Sequence, residues 1–161
     1  MSTEITYQAL EEFFTQRKAP QLALRALKEN AEIEIRIGGS LICAVFRKDG
    51  QLQVARREAQ RPDFVFHIQP ETVEILAQKA KDNEANDKPT KDNIADIGIN
   101  LIKEMLAGAV RVERKTSLGV LLTRGYLEVI ASGGPAIARY LGSIGFTSPT
   151  KIIALFKKLK G

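Results

Sequence analysis

Residues Glu32–Ile37 read EIEIRI, so three isoleucines alternate with three charged residues. Successive side chains of a strand point to opposite sides, and this run therefore predicts a strand with one face toward a core and one toward water. Gly38-Gly39 follows at once, and glycine readily adopts the positive φ angles that a tight hairpin requires. The run is thus predicted to open an antiparallel hairpin.

Further alternating runs follow on the C-terminal side. Ser40–Arg47 reads SLICAVFR, Leu52–Arg56 reads LQVAR and Asp63–Gln69 reads DFVFHIQ, with turn residues between them. Ala109–Arg114 reads AVRVER and predicts a fifth strand. Together the runs predict a sheet with one large apolar face, which must be covered by other elements.

The segments around the strands have helical periodicity. A polar run, Lys81–Lys91, lacks aliphatic residues apart from one alanine and is predicted to be an exposed, mobile loop. The predicted helices are Thr6–Lys18, Gln21–Asn30, one that starts at Pro70, Asp92–Leu106, a short one over Ser117–Thr123, and two more that start near Gly133 and Ser148.

These elements predict an α+β fold: a five-stranded, largely antiparallel sheet with helices covering one face. At 161 residues the chain can bury a sizeable core without disulfides or metals. We expect residues 1–132 to form the domain and residues 133–161 to add amphipathic, basic helices that pack on it.

The predicted helix Asp92–Leu106 is apolar on most of its circumference. A helix of this kind is buried in a core, pairs with another molecule, or lines an internal cavity. Its two apolar stripes are Ile94, Ile97, Leu101 and Met105, and Ile99, Ile102 and Leu106.

Positive charge is concentrated near the C-terminus. The net charge of the chain is +5. From Lys115 onward there are seven basic residues and one acidic residue, or +6, which leaves −1 for the first 114 residues. Such a segment can bind anionic lipid or nucleic acid, although a solvated helix face explains it equally well.

Residues for common enzyme chemistry are scarce. The chain has one histidine, one cysteine and no tryptophan. His67 has no second histidine with which to form a metal site, and Cys43 lies in an apolar strand where a thiol is unreactive. No phosphate loop, dinucleotide fingerprint or nucleophile elbow occurs. We therefore expect no enzyme activity, no cofactor and no metal.

The chain also has no apolar run that approaches the length of a membrane span, and its first residues do not resemble a leader peptide. A single cysteine is compatible with a reducing compartment. A soluble, cytoplasmic protein is expected.

Three segments carry a resemblance to a known family. They are the hairpin Leu41–Val54 around Asp49-Gly50, the run Pro62–Ile68 that leads into Glu71–Leu76, and Ala107–Val112 that leads into Leu118–Leu122. Over roughly Gln21–Arg124 the chain resembles the sterol carrier protein type two (SCP-2) family of lipid-binding domains. The resemblance implies non-enzymatic binding or transfer of a sterol, fatty acyl chain, phospholipid or quinone, held in a tunnel between sheet and helices.

The chain departs from that family in two places. The polar run lengthens the connection between the fourth and fifth strands, and the fifth strand ends in Glu113-Arg114-Lys115 where the family commonly has a glycine. The last residues, Lys160-Gly161, do not form the tripeptide that directs some members to peroxisomes.

The expected ligand-binding residues are those on the apolar sheet face and the helices that would cover it. They are Phe46, Phe64, Phe66, Ile68, Leu76, Ile99, Ile102, Met105, Leu106, Val110, Val112, Leu118, Leu121 and Leu122. Four lysines of the last predicted helix, Lys151, Lys157, Lys158 and Lys160, are expected to dock on an anionic membrane or, with their helix, to cover the cavity.

A second hypothesis is an interaction module, in which a basic patch binds protein, nucleic acid or anionic membrane. Nucleic acid is the least expected of these partners because no aromatic residues for base stacking are interleaved with the basic ones. The basic residues are Arg56, Arg57, Arg61, Arg111, Arg114 and Lys115.

Overall fold

A computed structural model describes residues 3–132, 139–140, 142–143 and 145 of the chain. Its strands are β1 (Glu32–Ile37), β2 (Leu41–Lys48), β3 (Gln51–Ala55), β4 (Phe64–Ile68) and β5 (Val110–Arg114). Its helices are α1 (Thr3–Gln16), α2 (Lys18–Ala23), α3 (Pro70–Ala85), α4 (Thr90–Leu106), α5 (Leu118–Thr123) and α6 (Tyr126–Ala131), with a 3₁₀ turn at Leu24–Ala26.

The strands form a single sheet in the order β3-β2-β1-β4-β5. β1, β2 and β3 are an antiparallel meander, and β5 is antiparallel to β4. β4 is parallel to β1, with Ile35 opposite Phe66. The predicted fold class, α+β with a five-stranded, largely antiparallel sheet, is confirmed. The strand boundaries are predicted to within one residue.

The chain crosses the outer face of the sheet between β3 and β4, over residues 56–63, which we call the strap. The backbone N–H of Ala59 donates to Oε1 of Glu34 at 3.0 Å. Backbone N–H groups of Gln60 and Arg61 donate to Oε2 of Glu32 at 3.1 and 3.2 Å. The prediction that this face meets water is therefore wrong at Glu34, which is only 3% exposed because the strap covers it.

Helices α1, α3 and α4 lie side by side over the inner face. α1 packs on β3 and α4 packs on β5, while α3 lies between the two helices and contacts both. Leu10 of α1 and Val73 and Leu76 of α3 are buried against the isoleucines of β1. α3 begins at Pro70, the position that the sequence predicts, where a missing N–H costs no helical hydrogen bond.

The prediction of a mobile loop at Lys81–Lys91 is wrong for most of that run. α3 continues to Ala85 and α4 begins at Thr90, so residues 86–89 alone connect them. Asn93, 2% exposed, donates its side-chain Nδ2 to the carbonyl of Ala80 at 3.1 Å, and Asn83 donates to Asn93 and Asp96, both at 3.1 Å. These polar residues hold two helices together.

Other helix boundaries also differ from the prediction. Asp92 does not cap α4 but lies in its first turn. The predicted helix Gln21–Asn30 is replaced by α2 and the 3₁₀ turn, because Pro20 is tolerated in the first turn of a helix and α2 begins before it, at Lys18. Helix α6 has no counterpart in the prediction.

The C-terminal predictions lie largely outside the described residues. Of the helix predicted from Gly133, the structure describes only residues 139–140, 142–143 and 145, and the helix predicted from Ser148 lies wholly outside. The division at residue 132 stays a prediction. Across the part of the chain that is described, we find no helix with the length and apolar character to cross a membrane.

Candidate functional site: an apolar seam beside α4

The apolar interior consists of two clusters rather than one. The larger lies under α1, α3 and α4 and includes Ile37, Val73 and Val110. The smaller lies under α5 and α6 and includes Leu121, Tyr126 and the start of β4. Domains of this size usually have one contiguous core with smaller satellite clusters, and the cluster under α5 and α6 is such a satellite.

The two clusters share residues that are only partly buried. They are Leu24, Ile33, Phe66 and Val112. Phe66 and Val112 are directly opposite each other on β4 and β5. We call this border the seam: it runs over β1, β4 and β5, with α4 on one side and α5 with α6 on the other, and Leu24 of the 3₁₀ turn packs on both clusters across it.

One flank of α4 extends the apolar surface beside the seam. Leu101 and Met105 pack on the larger cluster. Asn93 and Asp96 bind α3, and at 100° per residue the stripe Ile99, Ile102 and Leu106 is centred about 120° around the helix from them. Ile99 and Ile102 are half-buried, and Leu106 is 62% exposed.

Most of the predicted ligand-binding residues lie on or against the inner sheet face, and some of them, such as Ile68, Leu76 and Val110, are buried in the larger cluster rather than at the seam. Those on the inner sheet face or packed on it are Phe64, Phe66, Ile68, Leu76, Met105, Val110, Val112 and Leu121. Leu122 of α5 is 39% exposed.

Phe46 is not with the others. It lies opposite Glu32 on β1 and Gln53 on β3, which places it on the outer face of the sheet. The guanidinium of Arg57 in the strap lies 4.9 Å from its ring centroid. Side chains alternate between the two faces along β2. Because Val45 faces the core, its neighbour Phe46 must face outward.

Five predicted positions cannot be placed. The side chain of Leu118 lies outside the described part of the structure, although its backbone opens α5. Lys151, Lys157, Lys158 and Lys160 lie outside the described residues altogether.

A buried polar cluster that the sequence did not predict closes one end of the smaller apolar cluster. Asp63 is 0% exposed, accepts a hydrogen bond from the Tyr126 hydroxyl at 2.7 Å and forms an ion pair with Arg124. The Tyr126 ring meets Phe64 edge to face, with centroids 5.0 Å apart. Burial, and then the hydrogen bond to Asp63, raise the pKa of Tyr126 far above its usual range. The cluster fixes α5 and α6 to the start of β4.

The residues with reactive side chains do not lie at the seam. Cys43 is on the inner face of β2, 0% exposed, and burial raises the pKa of its thiol from 9.0 to about 11. His67 is on the outer face of β4, with Nε2 3.6 Å from the carboxylate of Glu113. Among the described residues, no group of three or more His, Cys, Asp or Glu side chains is arranged to hold a metal ion.

The predicted basic patch is largely paired with carboxylates. Arg56 is 2.8 Å from Glu4, and Arg57 is 3.1 Å from Glu32. Arg111 and Lys115 lie 2.6 and 3.3 Å from Glu113. These pairs reduce the positive potential that the sequence alone indicates.

Clefts open on the surface away from the seam. One, of about 230 Å³, lies between α1 and α3. Another, of about 470 Å³, is a more open depression at the start of β2, lined in part by Ser40, Arg56 and Arg57.

Comparison with known proteins adds one structural likeness. No protein-family model matches the chain, and no curated protein matches it. A solved structure of a "UbiJ-SCP2 Ubiquinone synthesis protein" is similar to it, with a TM-score of 0.44 and 14% sequence identity over 78% of this chain and 92% of that one. The likeness carries no information about the ligand of this chain.

Proposed function

We propose that this protein binds an apolar, lipid-like molecule at the seam and does so without chemically transforming it. The observation that carries the proposal is that, among the described residues, the two apolar clusters share side chains that are partly rather than fully buried, Phe66 and Val112 among them. An acyl or isoprenoid chain that filled this border would bury the same surface that a continuous core buries in other domains.

The chemistry of the seam is suited to a ligand held by shape. Its walls are aliphatic and aromatic side chains of α4, β4 and β5, and the half-buried stripe Ile99, Ile102 and Leu106 extends them toward the surface. At about 25 cal/mol per Å² of apolar surface, a chain that buries a few hundred Å² gains several kcal/mol before ordering costs are subtracted. Micromolar affinity is therefore expected.

The resemblance of the sequence to lipid-binding domains of the SCP-2 type supports the same ligand class. Sterols, fatty acyl chains, phospholipids and quinones all present the flexible or flat apolar surface that the seam can cover. We expect no catalytic step, since the nucleophilic thiol of Cys43 and the imidazole of His67 both lie elsewhere in the fold.

Native mass spectrometry of freshly purified protein, followed by solvent extraction and lipid analysis, tests the proposal. We expect a fraction of the protein to retain a bound mass that solvent extraction releases as lipid or quinone. The empty fraction should take up a fluorescent fatty acid or a quinone analogue. Protein that carries no extractable lipid and takes up neither probe at up to about 100 μM would contradict micromolar binding.

A further inference from the structure

One side of α4 is apolar from its second turn to its end and becomes more exposed along the way. Ala95, Ile99, Ile102 and Leu106 recur at helical spacing on this side. Ala95 is 3% exposed, Ile99 and Ile102 are half-buried, and Leu106 is 62% exposed. We call Ile99, Ile102 and Leu106 the outer stripe. It continues the apolar side of α4 beyond the part that the described residues cover.

The described part of the C-terminal region lies against this side of α4. The Nζ atom of Lys103 is 5.7 Å from the centroid of the Tyr140 ring, within the range of a cation–π contact. Lys103 follows Ile99 by four residues and precedes Leu106 by three, so these side chains are neighbours on the surface of the helix. Tyr140 therefore brings the C-terminal region to the exposed end of the outer stripe.

A further segment of sequence starts close to this point. Gly145 has a φ of 103°, and its N–H donates to the carbonyl of Gly142 at 3.2 Å, as at the end of a helical turn. Five residues on from Tyr140, it lies at most about 18 Å away. Residues 146–161 follow and lie outside the described residues.

The sequence of that segment predicts an amphipathic helix of suitable length. Ser148-Pro149 is a typical helix start, and Ile152, Phe156 and Leu159 share one face at 100° per residue. At 1.5 Å per residue, a helix over residues 149–160 is about 18 Å long, and the outer stripe spans about 11 Å. Lysines occupy the other sides of this predicted helix: Lys151, Lys157, Lys158 and Lys160.

From these observations we infer that residues 148–160 pack on the outer stripe as an amphipathic helix. Ile152, Phe156 and Leu159 contact the stripe, and the lysines face away from it. The helix then covers the flank of the seam that α4 forms and slows the exchange of ligand. This consequence for exchange rests on the function proposed above, whereas the packing on α4 does not.

Attachment to the same chain favours this occupant over a separate molecule. Only residues 141–147 connect Tyr140 to the segment. A short tether gives the attached segment an effective concentration in the millimolar range, which a free partner rarely reaches. Contact between the two apolar surfaces also removes both of them from water.

Disulfide formation between introduced cysteines tests this placement in the full chain. Each of three variants carries Leu106→Cys, and the second cysteine replaces Ile152, Phe156 or Leu159. The native Cys43 does not compete, because it is 0% exposed. A disulfide requires Cα atoms about 4–7 Å apart. With copper phenanthroline as the oxidant, we expect at least one of the three pairs to form a disulfide within one chain, measured by mass spectrometry of peptide digests.

Ile75→Cys provides the matched control for Leu106→Cys. Ile75 of α3 is 65% exposed, close to the 62% of Leu106, and it does not belong to the outer stripe. Neither change removes a core side chain. Combined with the same three second cysteines, Ile75→Cys should form disulfides at least about tenfold more slowly than the fastest Leu106→Cys pair.

Release of ligand from the cross-linked variant tests the consequence for the seam. We expect the oxidised protein to release a preloaded fluorescent fatty acid at least about fivefold more slowly than the same protein after reduction. Equal release from the two forms would overturn the covering of the site. Protein that binds the probe in neither form would contradict the proposed function, while its disulfide would still support the packing on α4.

Three results would overturn the packing itself. The first is the absence of a disulfide within one chain in all three Leu106→Cys variants, and the second is equally fast reaction of the Ile75→Cys pairs. The third is a disulfide that joins two chains instead of one. That result would assign the outer stripe to the C-terminal segment of a second copy.

Discussion

Tyr126 shows how a single side chain contributes to this fold through a buried polar contact. Its hydroxyl donates to Asp63, the residue just before β4, and Asp63 also forms an ion pair with Arg124. These two contacts connect the α5–α6 segment to the start of β4. Asp63 would be a costly buried charge without these partners. Nothing in the alternation of residues around position 63 indicates this role, since the partners are about 60 residues away in the sequence.

Replacement of Tyr126 by phenylalanine should therefore destabilise the protein. The change leaves the ring against Phe64 but removes one hydrogen bond to a buried carboxylate, at a cost of about 1–3 kcal/mol. Urea denaturation measures the free energy of unfolding. Tyr7→Phe is the control, because that hydroxyl lies 3.1 Å from the exposed Glu11 and at the longer distance of 3.5 Å from the carbonyl of Val54, so its loss should cost less than about 0.5 kcal/mol. Equal losses in the two variants would contradict the role of the cluster.

Cys43 should make stability depend on pH in the alkaline range. Burial raises the pKa of its thiol from 9.0 to about 11, so the unfolded chain releases this proton at lower pH than the folded protein does. The contribution to stability is complete below about pH 9 and is lost as pH rises toward about 11. The unfolding free energy of the Cys43→Ala variant should fall less steeply over this interval. A native thiol that reacts with a disulfide reagent at pH 8 as fast as the unfolded chain does would contradict its burial.

For whole helices, periodicity in the sequence predicts which side is buried but not where the helix begins and ends. The stripe Ile94, Ile97, Leu101 and Met105 of α4 is recognisable in the sequence because burial on one side of a helix repeats every three to four residues. The end of α3 and the start of α4 are not predicted correctly. Asn83, Asn93 and Asp96 form hydrogen bonds across the helix pair, and the polar composition of the run does not reveal them.

Asn93→Ala should accordingly weaken the α3–α4 contact. It removes the bond to the carbonyl of Ala80 and the acceptor for Asn83, and we expect a loss of about 1–3 kcal/mol in the free energy of unfolding. Asn100→Ala is the matched control, since Asn100 donates to the carbonyl of Asp96 in its own helix, at 2.7 Å. Calorimetry should show a larger drop in melting temperature for Asn93→Ala. A drop no larger than that of the control would contradict the contact.

For the molecule as a whole, the sequence predicts the sheet more completely than its topology. Each strand is recognisable from local alternation, whereas the parallel position of β4 beside β1 depends on the strap and on Glu32 and Glu34, which receive its backbone N–H groups. The same alternation predicts which side chains of β4 and β5 form the inner sheet face of the candidate site. The smaller cluster is not predictable, because it depends on contacts of α6 with the 3₁₀ turn and of Tyr126 with Phe64, which are distant in the sequence.

The C-terminal lysines give a prediction about the protein as a membrane-associated carrier. Replacing Lys151, Lys157, Lys158 and Lys160 with glutamine should weaken binding to anionic liposomes at low salt, because each basic residue near such a surface contributes about 1 kcal/mol. Cosedimentation measures the bound fraction. The control replaces four lysines exposed on the described domain, Lys18, Lys28, Lys48 and Lys91. Equal effects of the two sets would show that only net charge matters and would contradict a docking role.

Ligand affinity in two variants with equally exposed residues tests binding at the seam most directly. Leu106→Asp places a charge beside the seam at a residue 62% exposed, and Ile75→Asp places one on α3 at a residue 65% exposed. Neither change removes a core side chain. The probe is a fluorescent fatty acid or quinone analogue. We expect Leu106→Asp to raise its dissociation constant about fivefold or more, because a charge next to the apolar surface of the ligand is costly. Ile75→Asp should leave the dissociation constant unchanged. Equal affinities in both variants and the unmodified protein would contradict binding at the seam.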